Sequence, residues 1–146
     1  MRRMMAVLYL VAMAACGAVS SMDEPVSASF AADLNTFRNS QGQGAVTPDR
    51  RLQRAALAHA NDMVQRDYFA HQSPDGGRMS DRIAASGYRA CAAAENIAFG
   101  QKTEAAVFAA WRESAGHRRN LLGSAYAHYG LGRSGDTWVL VLARSC

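Results

Sequence analysis

Residues 129–143 read Tyr-Gly-Leu-Gly-Arg-Ser-Gly-Asp-Thr-Trp-Val-Leu-Val-Leu-Ala. Tyr129, Leu131 and Arg133 alternate with His128, Gly130 and Gly132, the two-residue period of a strand. Ser134-Gly135-Asp136 has the composition of a reversing turn, and Trp138 to Ala143 is β-rich. The segment is therefore a hairpin near the end of the chain. Its second arm, Trp138-Val139-Leu140-Val141-Leu142, is apolar at every position, so both of its faces require cover.

The cover is found upstream as helical stripes. Phe30, Leu34 and Phe37 fall at helical spacing, ahead of the Ser40-Gln41-Gly42-Gln43-Gly44 linker. Thr47-Pro48-Asp49 has the signature of a helix start, with Asp49 at the positive end of the dipole. Beyond it Leu52, Ala55, Ala56, His59, Ala60, Met63 and Val64 form one stripe, which predicts an amphipathic helix. A lone histidine on such a stripe is a satisfied core residue, and His59 is read so. Met79 to Ala85 predicts a short helix with Ile83 inward, ended by Gly87. Thr103 is the expected N-cap of a further helix that buries Val107, Phe108 and Trp111.

That last helix leads into Trp111-Arg112-Glu113-Ser114-Ala115-Gly116-His117-Arg118-Arg119-Asn120-Leu121-Leu122. Gly116 is expected to break the helix, leaving His117 at a junction and Asn120 to Gly123 as a single apolar turn. His71 is similarly placed, between the end of the long helix and the loop Gln72-Ser73-Pro74-Asp75-Gly76-Gly77. Glu95 is the third unusual residue. It lies in Ala92-Ala93-Ala94-Glu95-Asn96-Ile97-Ala98-Phe99, where a buried carboxylate needs a cation or hydrogen-bond donor, because leaving it unpaired costs several kcal/mol. The partner is sought among the arginines and histidines that follow it.

At the N-terminus, Arg2 and Arg3 precede an apolar run from Met4 to Ala15, too short to span a bilayer and laid out as an export signal. The expected division is a signal peptide over residues 1–16, a tether over 17–28 and one domain over 29–146. Met13-Ala14-Ala15-Cys16 leaves two readings open: lipid anchoring at Cys16, or ordinary cleavage after a small residue such as Ala14 or Ala18. If Cys16 is a lipid anchor or is removed with the signal, an exported chain with three cysteines keeps Cys91 and Cys146 as the natural disulfide pair. By chain entropy, a bond closing residues 91–146 contributes at most roughly 4 kcal/mol. Without Arg2 and Arg3, 14 of the 16 Lys and Arg remain against 12 Asp and Glu. That small excess, with no basic stripe, excludes nucleic acid as a partner.

The sequence has no His-Glu-x-x-His zinc helix, nucleophile elbow or phosphate-binding glycine loop, and nothing marks Ser114 as a nucleophile. Four blocks stand in order: His71-Gln72-Ser73-Pro74-Asp75-Gly76; Glu95-Asn96-Ile97-Ala98-Phe99-Gly100; Trp111 followed by Gly116-His117-Arg118-Arg119-Asn120-Leu121-Leu122; and Tyr129-Gly130-Leu131-Gly132. Together they resemble the bacterial branch of the CAP superfamily, which groups cysteine-rich secretory proteins, antigen 5 and pathogenesis-related 1 proteins. The resemblance covers about Phe30 to Cys146. It implies an α+β fold, a three-layer α-β-α sandwich with a small antiparallel sheet between helices.

It also implies that His71, Glu95 and His117 converge in a central cleft. Many eukaryotic members add a glutamate three residues after the tryptophan; Ser114 holds that position here, with Glu113 one residue earlier as the substitute candidate. For function the resemblance implies an exported, SCP-like domain of the cell envelope or exterior. The leading expectation is a non-enzymatic binding module, whose cleft takes a divalent metal such as zinc through His71 and His117. One alternative is a metal-assisted hydrolase of peptide or cell-wall substrate, with Glu95 as general base. The other is binding of lipid or sterol. Its ligand is unnamed by the sequence, a lipid or envelope component being the implied class, and membrane contact is expected only through an anchor at Cys16.

Overall fold

The computed structural model describes residues 27–146. The expected signal peptide, Cys16 and nearly all of the expected tether lie outside the described residues. The chain is ordered α1 (Ala28–Ser40), β1 (Thr47–Pro48), α2 (Arg50–Gln65), α3 (Met79–Ala85), β2 (Ala90–Phe99), α4 (Glu104–Glu113), α5 (Ala115–Leu121), β3 (His128–Ser134) and β4 (Thr137–Ser145). The helix starts follow the side chains that mark them. Ser27, Asp49 and Thr103 each accept a backbone N–H of the first turn of α1, α2 and α4.

The sheet runs β1-β3-β4-β2. β4 lies antiparallel between β3 and β2, as the hairpin reading requires, while the two-residue β1 adds a parallel edge that makes the sheet mixed. Residues Thr137 to Ala143 of β4 are buried without interruption. One face carries Ala98, Tyr129, Leu131, Trp138, Leu140 and Leu142 against Phe30, Leu34 and Phe37 of α1, Phe108 and Trp111 of α4, and Leu121 of α5. The other carries Ile97, Val139, Val141 and Ala143 against Leu52, Ala55, Ala56, Ala60 and Met63 of α2 and Ile83 of α3. The result is the expected three-layer α+β sandwich.

Gly130 and Gly132 of β3 allow α2 to sit directly on the sheet. A Cβ on Gly130 would stand 2.2 Å from backbone atoms of Leu52 and Gln53, and one on Gly132 2.3 Å from the backbone N of Leu57. No side chain fits between these strand and helix backbones.

Two local expectations are corrected, and one unassigned run is placed. α4 ends at Glu113, and the break falls on the extended backbone of Ser114 rather than at Gly116. Gly116 and His117 lie in the first turn of α5, and Asn120 and Leu121 in its last. Val64 leaves the apolar stripe of α2, being half exposed. The alanine-rich run around Glu95, which shows no strand signal beyond its apolarity, is the edge strand β2.

The sulfurs of Cys91 and Cys146 are bonded, with Cα atoms 4.9 Å apart. Cys91 falls at the register irregularity between Ala90 and Ala92, so the bond fastens the last residue of the chain to the start of β2.

Candidate functional site

Successive residues of a strand point to opposite faces, and β2 uses this to reach both helical layers. Glu95 pairs with Val141 and Asn96 with Leu140, so Glu95 faces α2 and Asn96 faces α5. The Glu95 side chain is only 3% exposed. Its Oε1 accepts from His71 Nδ1 at 2.9 Å and its Oε2 from Arg82 Nη2, also at 2.9 Å. A third neighbour is His59 of α2, whose Nε2 lies 3.8 Å from Oε1. Arg82 Nη2 also donates to the carbonyl of His71 at 3.0 Å, fixing the loop and the carboxylate with one guanidinium. The buried charge is thus paired and hydrogen-bonded, the arrangement that makes burial tolerable.

Arg82 was missed by sequence reasoning because it precedes Glu95 by 13 residues and was sought after it. Its signal was available: Arg82 lies in the same short helix as Ile83, which reads as inward. His59 is a wholly buried core residue, as its place on the stripe implies. Its Nε2 donates to the Ala70 carbonyl at 3.0 Å, which holds the residue before His71. Burial pushes the His59 imidazole below its ordinary value, with the charge of Glu95 opposing that shift and Arg82 adding to it.

The loop carrying His71 is braced by Asp62 of α2, which accepts from Arg66, Tyr68 and Ser73. The Arg66 guanidinium foremost holds the Asp62 carboxyl down to about 2. His71 itself remains open, its side chain 59% exposed. With Nδ1–H directed at Glu95, Nε2 carries the lone pair and faces outward. Around it lies a pocket of about 360 Å³ lined by His71, Gln72, Arg78, Met79 and Glu95.

His117 comes from the opposite layer. Buried Asn96 donates to the His117 carbonyl at 3.1 Å, and Asn120 donates to Asn96 Oδ1 at 2.8 Å and to the Glu95 carbonyl at 3.3 Å. The far end of α5 is held by the buried Arg38 of α1, which donates to the carbonyls of Leu121 and Gly123. These contacts pin α5 along the open edge of β2. The His117 imidazole sits below its ordinary value, chiefly by burial and then by the neighbouring His71 imidazole. Glu113 is placed elsewhere: it is exposed at the end of α4, in a depression with Ala109, Arg112 and Arg118.

The donor set can be tested against a metal. Both Glu95 oxygens are engaged, so the free nitrogens are Nε2 of His71 and those of the His117 ring, which has no hydrogen-bond partner among the described residues. Among those residues no three His, Cys, Asp or Glu side chains form a metal-binding group. What is offered is two imidazoles, with other positions left to water or ligand.

The sandwich presents Glu95 of its edge strand β2 hydrogen-bonded to His71. The chain belongs to the cysteine-rich secretory protein family, CAP, whose model matches residues 32–141. It is a CAP domain of bacterial type. It is 41% identical over 106 residues to the uncharacterized protein YkwD of Bacillus subtilis, covering 71% of this chain and 41% of that protein. It is 34% identical over 98 residues to the uncharacterized membrane protein YlbC of the same organism, covering 67% of this chain and 28% of that one. The chain thus spans less than half the length of either relative.

Among solved structures it resembles an extracellular SCP-domain protein of Bacillus anthracis, with TM-score 0.77 and 24% identity over 84% of this chain and 45% of that one. It also resembles an outer surface protein of Borrelia burgdorferi, with TM-score 0.71 and 17% identity over 79% of this chain and 89% of that one. At these identities the likeness is one of fold. No helix among the described residues is long and apolar enough to cross a membrane.

Proposed function

We propose that this CAP domain is a non-enzymatic binding module of the cell envelope or exterior, in which Glu95 organises a cleft and His71 and His117 make its contacts. The observation that carries the reading is the commitment of the Glu95 carboxylate, whose two oxygens are taken by His71 and Arg82 at 2.9 Å each. A general base acting on a hydrolytic water must also meet that water, and the Glu95 side chain is only 3% exposed beneath these two partners. The hydroxyl of Ser73, in the same loop, is likewise engaged with Asp62. Glu95 orients His71 and locks its tautomer, leaving Nε2 as an outward-facing donor atom.

Two neutral imidazoles suit a divalent ion of the zinc type, held weakly and completed by water or by a ligand's own oxygen. Placement outside the cell rests on the apolar N-terminal run and is consistent with the Cys91–Cys146 bond. Calorimetric titration of zinc is the test, comparing the wild type with a His71→Ala/His117→Ala variant. A saturable heat in the wild type that disappears in the variant is expected. Equal heats from the two proteins would refute the metal contact.

A second reading, lipid or sterol binding, is favoured by a groove of about 640 Å³ between α3 and the start of β2. Met79, Ile83, Tyr88 and Ala90 are among its lining residues. Saturable binding of a labelled sterol or fatty acid, weakened by Ile83→Asp, is the expected result on that reading.

A further inference from the structure

Away from the cleft, α1, α4 and α5 meet at a second cluster of charge. Arg112 lies in the last turn of α4, and Arg118 lies in α5. Both guanidiniums stand 4.9 Å from the centroid of the same ring, that of Phe37 in α1. The two charges are therefore separated by no more than twice that distance. Arg112 also lies 5.8 Å from the centre of Phe108, and Arg118 Nη2 donates to Gln41 Oε1 at 3.1 Å. Stacking and hydrogen bonding hold two long side chains that would otherwise sweep through solvent.

Neither makes an ion pair among the described residues. Arg51, Arg66, Arg82 and Arg133 each face a carboxylate within ion-pair distance, but among the described residues neither Arg112 nor Arg118 does. The helix dipole accounts for one cation at the end of α4. The dipole of α5 favours Arg118 in its last turn in the same way, but neither dipole accounts for the two cations meeting at one ring.

Between them is a depression of about 210 Å³ lined by Ala109, Arg112, Glu113 and Arg118. It shares Ala109 and Arg112 with a groove of about 380 Å³ between α1 and α4, whose walls include Phe37 and Phe108. Counting Glu113, the depression carries one net positive charge. Glu113 shares the depression but makes no ion pair with either guanidinium. A tetrahedral phosphate can accept from two guanidiniums that approach from different helices, using different oxygens. The neighbouring groove gives the remainder of an ester somewhere to lie.

We propose that Arg112 and Arg118, stacked on Phe37, form a binding site for the phosphate group of a phosphate-bearing ligand, separate from the His71–Glu95 cleft. The probe is inorganic phosphate, titrated into the whole domain at constant ionic strength while the Nε–H signals of Arg112 and Arg118 are followed by NMR. Saturable shifts at both residues are expected, with affinity lowered at least tenfold in Arg112→Gln/Arg118→Gln. The Arg112→Lys/Arg118→Lys variant keeps both charges and protects the fold, yet loses the forks, and is expected to weaken binding as well. The His71→Ala/His117→Ala variant should bind phosphate as the wild type does, so this site and the cleft stand or fall separately.

A second arm measures co-sedimentation with phosphatidylglycerol vesicles. Binding to both vesicles and free phosphate supports the site with a lipid headgroup as source; binding to free phosphate alone supports it with a soluble source. Absence of saturation in both arms would overturn the proposal. So would saturation that is unchanged in both double variants.

Discussion

The two faces of the sheet are built by opposite means. Under α1, α4 and α5 the core is aromatic: Phe30 meets Phe108, Trp111 and Tyr129 at ring separations between 5.7 and 6.5 Å, and Phe37 meets Phe108 at 6.0 Å. Under α2 the helix contributes Ala55, Ala56 and Ala60 beside Leu52 and Met63, and its backbone at Leu52, Gln53, Ala56 and Leu57 lies against the glycines of β3. Large rings hold helices away from a sheet and fill the gap; small residues let a helix backbone descend onto it. The ionic cluster of Glu95, His59, His71 and Arg82 belongs to the small-residue side. Close approach brings His59 of α2 within reach of a strand carboxylate, which a layer of rings would prevent.

If that contrast is right, the aromatic side should fail by cavity and the other by overpacking. Trp111→Ala carries the largest expected effect. Trp111 is buried, and its indole N–H donates to the Ile97 carbonyl at 3.3 Å, so truncation both empties the core and leaves an edge carbonyl unpaired. A loss of about 4 kcal/mol is expected from urea unfolding. A loss near 1 kcal/mol would mean that the aromatic layer collapses to fill the space.

Gly130→Ala tests the opposite face with a single methyl group. The new Cβ would stand 2.2 Å from the backbone of α2, where no side chain can rotate away. The expected loss is about 3 kcal/mol, at the upper end for overpacking because a whole helix must shift. It should be accompanied by altered NMR shifts at His59 and Glu95. A variant of wild-type stability would show that α2 is free to lift, and the contrast between the faces would lose its basis.

The same contrast sets how much was legible from the sequence. β4 announced itself, because five consecutive apolar residues admit no exposed face. The stripes of α1, α2 and α4 were readable for the same reason. β2 was not, since alanine has no strong strand preference and the strand is defined by its pairing with β4. The helix break was misplaced because Gly116 is the more visible breaker, while Ser114 acts through an extended backbone and carries no composition signal. Glu95 was recognised as a buried charge needing a partner. Which cation would answer it depended on tertiary placement, and so Arg82, Asn96 and Asn120 escaped notice as the residues that hold His71 and His117 in place.

The smallest expected effect comes from acid, and it separates the two parts of the polar cluster. The folded state holds the His59 and His117 imidazoles below their ordinary value of 6.5, largely by burial. Below that pH the unfolded chain binds protons that the folded chain refuses, so stability should be level above about pH 7 and decline as pH falls through 6.5 toward the depressed folded values. Asp62 works in a lower window. Its carboxyl is held at about 2 against an ordinary 3.8, so the stability it contributes is present above 3.8 and lost as pH falls toward 2. Urea midpoints measured from pH 8 to pH 2.5 should therefore fall in two steps. His59→Gln should shrink the upper step and spare the lower, whereas Asp62→Asn should do the reverse. A single step, unmoved by His59→Gln, would mean that the imidazole takes up its proton as readily in the folded domain as in water. In that case the small-residue face would not seal its charged cluster from solvent.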